Sequence, residues 1–173
     1  MEVPEIIINT TMTKDDYRKF LYIAAFRRNK TVIPLILLIA IIGGLVIGFE
    51  NDRLIMSRFV IGTVFLCVLS VAYISLRIEW KSAKRVKTDK TGTFDTANTL
   101  KFYDDRIVME NDSIKSTAEL KYDQFYTVLE SKDYFIFYFT INQASLIRKK
   151  DMDNPDAFRD FIANKFNGKF RQI

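Results

Sequence analysis

The run that most resembles a reactive site is Asp151-Met152-Asp153-Asn154, which begins like a calcium-binding loop. Such a loop needs a glycine at its sixth position and a chelating glutamate at its twelfth. Counted from Asp151, those positions hold Asp156 and Ile162, and the fifth holds Pro155. The ligand set fails. The run reads instead as the cap of a helix, with Asn154 as N-cap, Pro155 as first helical residue and Asp156 at the positive helix end. Asp104-Asp105 reads as a turn rather than a catalytic pair. The chain has no histidine, and its single cysteine, Cys67, lies inside an apolar run. The commonest general base, any disulfide within one chain and a cysteine metal site are therefore excluded. No glycine-rich phosphate loop or serine-nucleophile motif is present. The expectation is a protein that is not an enzyme and carries no metal and no cofactor.

Cations offer a second kind of chemistry. Of the formal charge of +5, residues 77–90 alone carry six basic and two acidic groups. Residues 1–30 carry six basic and four acidic, and 91–173 carry twelve basic and thirteen acidic. The excess sits beside the apolar runs, so anionic headgroups rather than nucleic acid are the expected partner. Arg27, Arg28, Lys30, Arg77, Lys81, Lys84, Arg85 and Lys87, with Trp80 among them, are the candidate membrane-interface residues. Arg148-Lys149-Lys150 is a second basic patch, suited to a partner or a headgroup.

These groups have to be held by elements, and two elements dominate. Thr31 to Phe49 is nineteen residues without a charge, and Phe59 to Leu76 is eighteen more. Roughly 20 apolar residues cross a bilayer core of about 30 Å, and a helix satisfies its own backbone there. With only ENDRLIMSR between them, the two runs predict a transmembrane hairpin over residues 31–76. Basic residues flank both runs on the same side, which predicts cytoplasmic termini, an external loop at 50–58 and a multi-pass protein of the cell membrane. No cleavable signal peptide is expected, because about thirty polar and amphipathic residues precede the first run. Gly43, Gly44, Gly48 and Gly62 permit close helix packing, and Gly44-x-x-x-Gly48 also matches a dimerisation motif. Packing within the hairpin and a homo-oligomer are both open.

Before the hairpin, residues 3–9 suggest an edge strand, expected to join the sheet of the C-terminal region because both termini lie on one side. Thr13 starts a helix with Asp16 at the capping-box spacing, and Tyr17, Phe20, Leu21 and Ala24 line one face. Nothing obvious interrupts that helix before the first run. The second span should continue as helix into the basic stretch 77–90, towards Gly92.

From Thr91 the period becomes two. Candidate strands are 92–95, 100–102, 106–110, 113–120, 125–130, 134–141 and 144–148, a meander whose most apolar member, 134–141, should be central. A helix from Pro155 to about Phe166 follows, with Phe158, Phe161, Ile162 and Phe166 in one stripe and Gly168 as its stop.

Seven antiparallel strands capped by a helix look like a pleckstrin-homology (PH)-type barrel. The whole chain resembles the YcxB-like family of small bacterial membrane proteins. That resemblance rests on IIINTTMTKDDYRKF, the two spans, the juxtamembrane basic stretch, and above all YDQFYTVLESKDYFIFYFTINQASLIRKKDMDNPDAFRDFI. It implies a fold and a location but no activity. The expected fold class is thus an α+β membrane protein: residues 1–30 as strand and amphipathic helix, 31–76 as hairpin, 77–90 as basic segment and 91–173 as a cytoplasmic PH-like domain. The turn 95–98 holds no Lys or Arg, which argues against phosphoinositide recognition by that route. The functional expectation is a membrane-anchored scaffold or sensor domain with an unidentified protein partner. The rival is an oligomeric transporter or channel accessory subunit, for which the runs supply only hydroxyls and no charge.

Overall fold

The structure is a computed structural model that describes residues 3–90, 92–111 and 115–173. In chain order it contains strand β1 (Ile6–Thr11), helix α1 (Lys14–Tyr22), a π-helical turn (Ile23–Arg28) and helix α2 (Val32–Gly48). Two short strands, β2 (Phe49–Glu50) and β3 (Arg53–Leu54), lead into helix α3 (Met56–Thr88). Then come β4 (Ala97–Phe102), β5 (Arg106–Asn111), β6 (Ser116–Lys121), β7 (Thr127–Glu130), β8 (Tyr134–Tyr138) and β9 (Ala144–Arg148). Helix α4 (Pro155–Lys165) and strand β10 (Phe170–Gln172) follow. The chain divides into two compact units, Met1–Tyr17 with Thr88–Ile173, and Arg18–Lys87.

The first unit holds two four-stranded sheets, ordered β1-β4-β5-β6 and β10-β7-β8-β9. Alternation explains the inward set. Leu100 and Phe102 of β4, Ile107 of β5 and Val128 of β7 are buried, as is every residue of the interior strand β8. Helix α4 begins as its residues dictate: the Asn154 side chain accepts a hydrogen bond from the Ala157 amide at 3.0 Å, and Pro155 sits where its missing N–H costs nothing. Its buried stripe fills the space between the sheets. Phe158 meets the rings of Phe102 and Phe135 edge-on at 5.1 and 5.0 Å, and Phe166 meets Tyr122, Phe125 and Phe137.

Several expectations are corrected here. The sheets do not close into a barrel: β1 and β9 are the edge strands of separate sheets. The sheet set is not wholly antiparallel, because β10, absent from the predicted strands, pairs with β7 in parallel. Residues 92–95 form no strand; Asp95 takes a left-handed φ of 61°, which breaks an extended run. The N-terminal strand, by contrast, is the expected edge strand and joins the sheet: β1 pairs antiparallel with β4 through all six of its residues. The predicted starts at Thr91 and Ser113 lie outside the described residues.

The second unit is a helical hairpin preceded by the C-terminal part of α1 and the π-helical turn. Asn51 and Asp52 both have positive φ, 50° and 58°, the conformation that a tight two-residue hairpin turn demands. The turn reverses the chain and sets α2 against α3. The contact is a seam of small residues. A Cβ placed on Gly44 would collide with Thr63 Oγ1 and lie 3.0 Å from the Phe59 carbonyl oxygen. On Gly48 it would lie 2.9–3.0 Å from three Phe59 atoms. Gly62 faces Ile47 in the same way. The Gly44-x-x-x-Gly48 spacing is thus occupied by α3 of the same chain.

Helix α3 is long and apolar enough to cross a membrane, with mean hydropathy 2.4 over its most apolar stretch, of which 6% is buried. Helix α2 has 17 residues and meets that criterion only together with the helix Lys14–Arg28, from which it is bent by 69°. The predicted uninterrupted run from α1 into α2 does not occur. The Asn29 side chain accepts hydrogen bonds from the Thr31 amide and hydroxyl, at 3.3 and 2.7 Å, and so starts a new helix.

Candidate membrane interface and interaction surfaces

The seam fixes the register of the hairpin: Gly48 lies opposite Phe59 and Gly44 opposite Thr63. Carried along both helices, it places the start of α2 beside residues 73–77, where Val32 shares a groove with Tyr73 and Arg77. The hairpin therefore has one cationic end. Arg27, Arg28 and Lys30 precede α2 there, and Arg77, Lys81, Lys84, Arg85 and Lys87 extend α3 beyond it. All but Arg28, which is partly buried, are exposed. Along α3, Arg77, Lys81, Lys84 and Arg85 share a face through their i, i+4 and i, i+7 spacing. Trp80 is 75% exposed among them. At the opposite end the charges are Glu50, Asp52, Arg53 and Arg58, and Arg58 pairs with Glu50.

Between these ends the surface is apolar. Leu35, Leu38, Ile42 and Val46 of α2 and Ile61, Val64, Phe65 and Val68 of α3 are exposed, while the buried positions of α2 are Ala40, Gly44 and Gly48. Two grooves flank the π-helical turn. One, of about 510 Å³, is lined by Tyr22, Phe26, Ile33, Leu37, Cys67 and Val71, among others. The other, of about 390 Å³, combines an apolar floor with Asn29, Arg77 and Lys81 at its rim.

In the sheet unit the Arg148-Lys149-Lys150 run is split. Arg148 points inward. Its guanidinium donates to both Asp151 carboxylate oxygens at 2.7 and 2.9 Å, to Thr11 and, at 3.5 Å, to Asp16. Thr10 donates to Asp151 at 2.6 Å, and Tyr134 donates to Asp16 at 2.7 Å. This network joins β1 to β9 where no backbone ladder does. Asp16 also closes the capping box: it accepts from the Thr13 amide at 3.0 Å while its own amide donates to the Thr13 hydroxyl. Burial alone would raise the Asp16 carboxyl, but the Thr13 and Tyr134 hydrogen bonds and the Arg148 charge together hold it below the usual carboxylate range. Asp151 behaves likewise: burial raises it, and Arg148 and Thr10 bring it below its ordinary value.

Lys149 is also committed, to Glu130, and only Lys150 of the three is exposed. Glu130 is 4% exposed and accepts from Lys149, from Arg159 through two nitrogens, and from Gln172 at 3.1 Å. Burial pushes its carboxyl up, and the Arg159 and Lys149 hydrogen bonds pull it below the ordinary value. Local sequence does not reveal this second network, since its members lie on β7, β10, α4 and the turn after β9. Among the described residues no cluster of three or more His, Cys, Asp or Glu could hold a metal ion.

Set against known proteins, the chain matches no curated protein and no solved structure. The segment from the end of β4 into α4 is nevertheless similar to a known family: residues 102–162 match the family model described as YcxB-like protein.

Proposed function

We propose that the chain is a membrane-anchored interaction module with no catalytic role. In this reading α2 and α3 both cross the bilayer, the termini are cytoplasmic, and β2 and β3 turn outside. The sheet unit is an opened PH-like domain that faces the cytoplasm as a scaffold or sensor for a protein partner. The observation that supports it best is the polarity of the hairpin. Eight basic residues emerge at one end, and only Arg53 and Arg58, offset by acids, lie at the other. An apolar belt lies between them, and its exposed side chains have no reason to face water. The 69° bend at Asn29 fits the same picture: with α2 along the bilayer normal, the charged helix before it runs near the membrane plane, as interfacial amphipathic helices do. At about 1.5 Å per residue, the 17 residues of α2 span about 25 Å, and in this reading Phe49 and Leu54 of the tight turn lie at the far boundary.

Labelling with a membrane-impermeant thiol reagent tests the topology. In a Cys67→Ser background, Ser57→Cys is expected to react in intact cells and Asn142→Cys only after permeabilisation. Labelling of Asn142→Cys but not Ser57→Cys in intact cells would reverse the orientation, and equal labelling of both before permeabilisation would remove the membrane crossing.

A further inference from the structure

We propose that the groove beside the π-helical turn is a site for one anionic phospholipid, taken from the cytoplasmic leaflet. This rests on the membrane reading above and adds a defined ligand to it. The groove is amphipathic in the way such a lipid requires. Its floor is Leu21, Ala24, Ala25, Val32, Ile74 and Ile78, which suits an acyl chain. Arg77 and Lys81, one turn apart on α3, stand at its rim with Asn29 and Tyr73. The volume, about 390 Å³, lies within the roughly 300–1,000 Å³ of small-ligand sites.

Two further observations support a built site. The groove exists because Ala24 and Ala25 are small, and both lie in the Ile23–Arg28 segment. Segments of π-helix are uncommon and often mark functional positions. Moreover, no carboxylate pairs with Arg77 or Lys81 among the described residues, whereas Arg148, Lys149 and Arg159 of the sheet unit are all neutralised internally. A phosphodiester held by the Arg77 fork and the Lys81 ammonium would supply that missing anion. The groove also opens onto the level where the apolar belt ends and the cations begin, which is where a phospholipid changes from chain to headgroup.

Native mass spectrometry of the full chain released from nanodiscs of mixed phosphatidylglycerol and phosphatidylcholine provides the test. The parent is expected to retain one phosphatidylglycerol. Arg77→Gln/Lys81→Gln should lose that retention by about tenfold or more, the scale of a lost charge-assisted hydrogen bond. Ala24→Leu/Ala25→Leu should lose it equally by filling the floor. Lys84→Gln/Lys87→Gln removes the same charge from the same cluster, outside the groove, and should retain the lipid. Equal retention by all variants, or equal retention of phosphatidylcholine by the parent, would overturn the site. Membrane integrity is read separately by alkaline carbonate extraction. A chain that stays in the membrane pellet but retains no lipid sinks only the groove, whereas an extractable chain sinks the membrane reading as well.

Discussion

The hairpin and the sheet unit bury opposite things. In the sheet unit the inaccessible side chains are large: Phe102, Phe135, Phe137, Ile147 and Ile162 are all 0% exposed. In the apolar runs of the hairpin, 31–49 and 59–76, the buried residues are Ala40, Gly44, Gly48 and Gly62, while Val46 and Ile61 are 74% and 69% exposed. One chain therefore follows two packing rules. Removal of aromatic and branched surface from water drives the sheet unit together. In the proposed membrane setting that drive would have no counterpart between α2 and α3, and close approach of backbones at glycine takes its place. An apolar residue is informative here only together with the size of its neighbour across the contact.

The largest test of this contrast is a truncation made once in each unit. Phe158→Ala removes a ring that touches Phe102, Phe135 and Phe161 and should destabilise the sheet unit by about 3–5 kcal/mol. Leu38→Ala removes a side chain that is 55% exposed, and should leave the helix pair intact in detergent. Limited proteolysis of the full chain, resolved by fragment, reports on both. If Leu38→Ala loosened the hairpin as much as Phe158→Ala loosens the sheets, the two units would share one packing rule.

The second test enlarges instead of truncating. Gly44→Ala places a methyl where Thr63 Oγ1 and the Phe59 carbonyl already lie, and part of that wall is backbone that cannot swing aside. A cost of about 1–3 kcal/mol in helix–helix association is expected. A disulfide-trapping pair across the seam, such as Ile47→Cys with Gly62→Cys in a Cys67→Ser background, reads it as slower cross-linking when Gly44→Ala is added. Unchanged trapping would show that the seam is not a close contact.

What could be read from the residues alone follows the same division between local and distant causes. The Asn154-Pro155 helix start, the Phe158–Ile162–Phe166 stripe, the Thr13–Asp16 box and the Ala144–Arg148 strand each depend on neighbours within a few positions, and each is found in the structure. The glycines of the hairpin were legible as a contact, though not which helix they would meet. Three features were hidden. β10 is three residues long and takes its place from β7, some forty positions earlier, so no periodicity marks it. The bend at Asn29 comes from one side chain choosing Thr31 over the helix before it. Arg148, at the end of a strand and followed by two lysines, reads as a solvated patch, because the carboxylate of Asp16 that faces it comes from 132 positions away.

That last pairing supports the smallest and most diagnostic expectation, a pH dependence confined to one unit. Asp16, Asp151 and Glu130 are all held below their ordinary carboxylate values in the fold. A carboxylate so lowered contributes stability at pH values above its unfolded pKa, and that contribution is lost as the pH falls through the lower folded value. The unfolded references are 3.8 for Asp and 4.5 for Glu, so the sheet unit should hold its stability down to about pH 5 and lose it progressively below. The apolar runs of the hairpin contain no carboxylate, and their packing should not follow. Asp16→Asn keeps an acceptor for Thr13 and Tyr134 but removes the charge facing Arg148. It should cost about 1–2 kcal/mol at neutral pH and flatten the acid loss, because one of the three titrating groups is gone. Hydrogen exchange of β1 and β9 amides between pH 3 and pH 7, compared at equal intrinsic rates, measures this directly. An acid loss as steep in Asp16→Asn as in the parent would mean that the network joining the two sheet edges does not depend on the Asp16 charge.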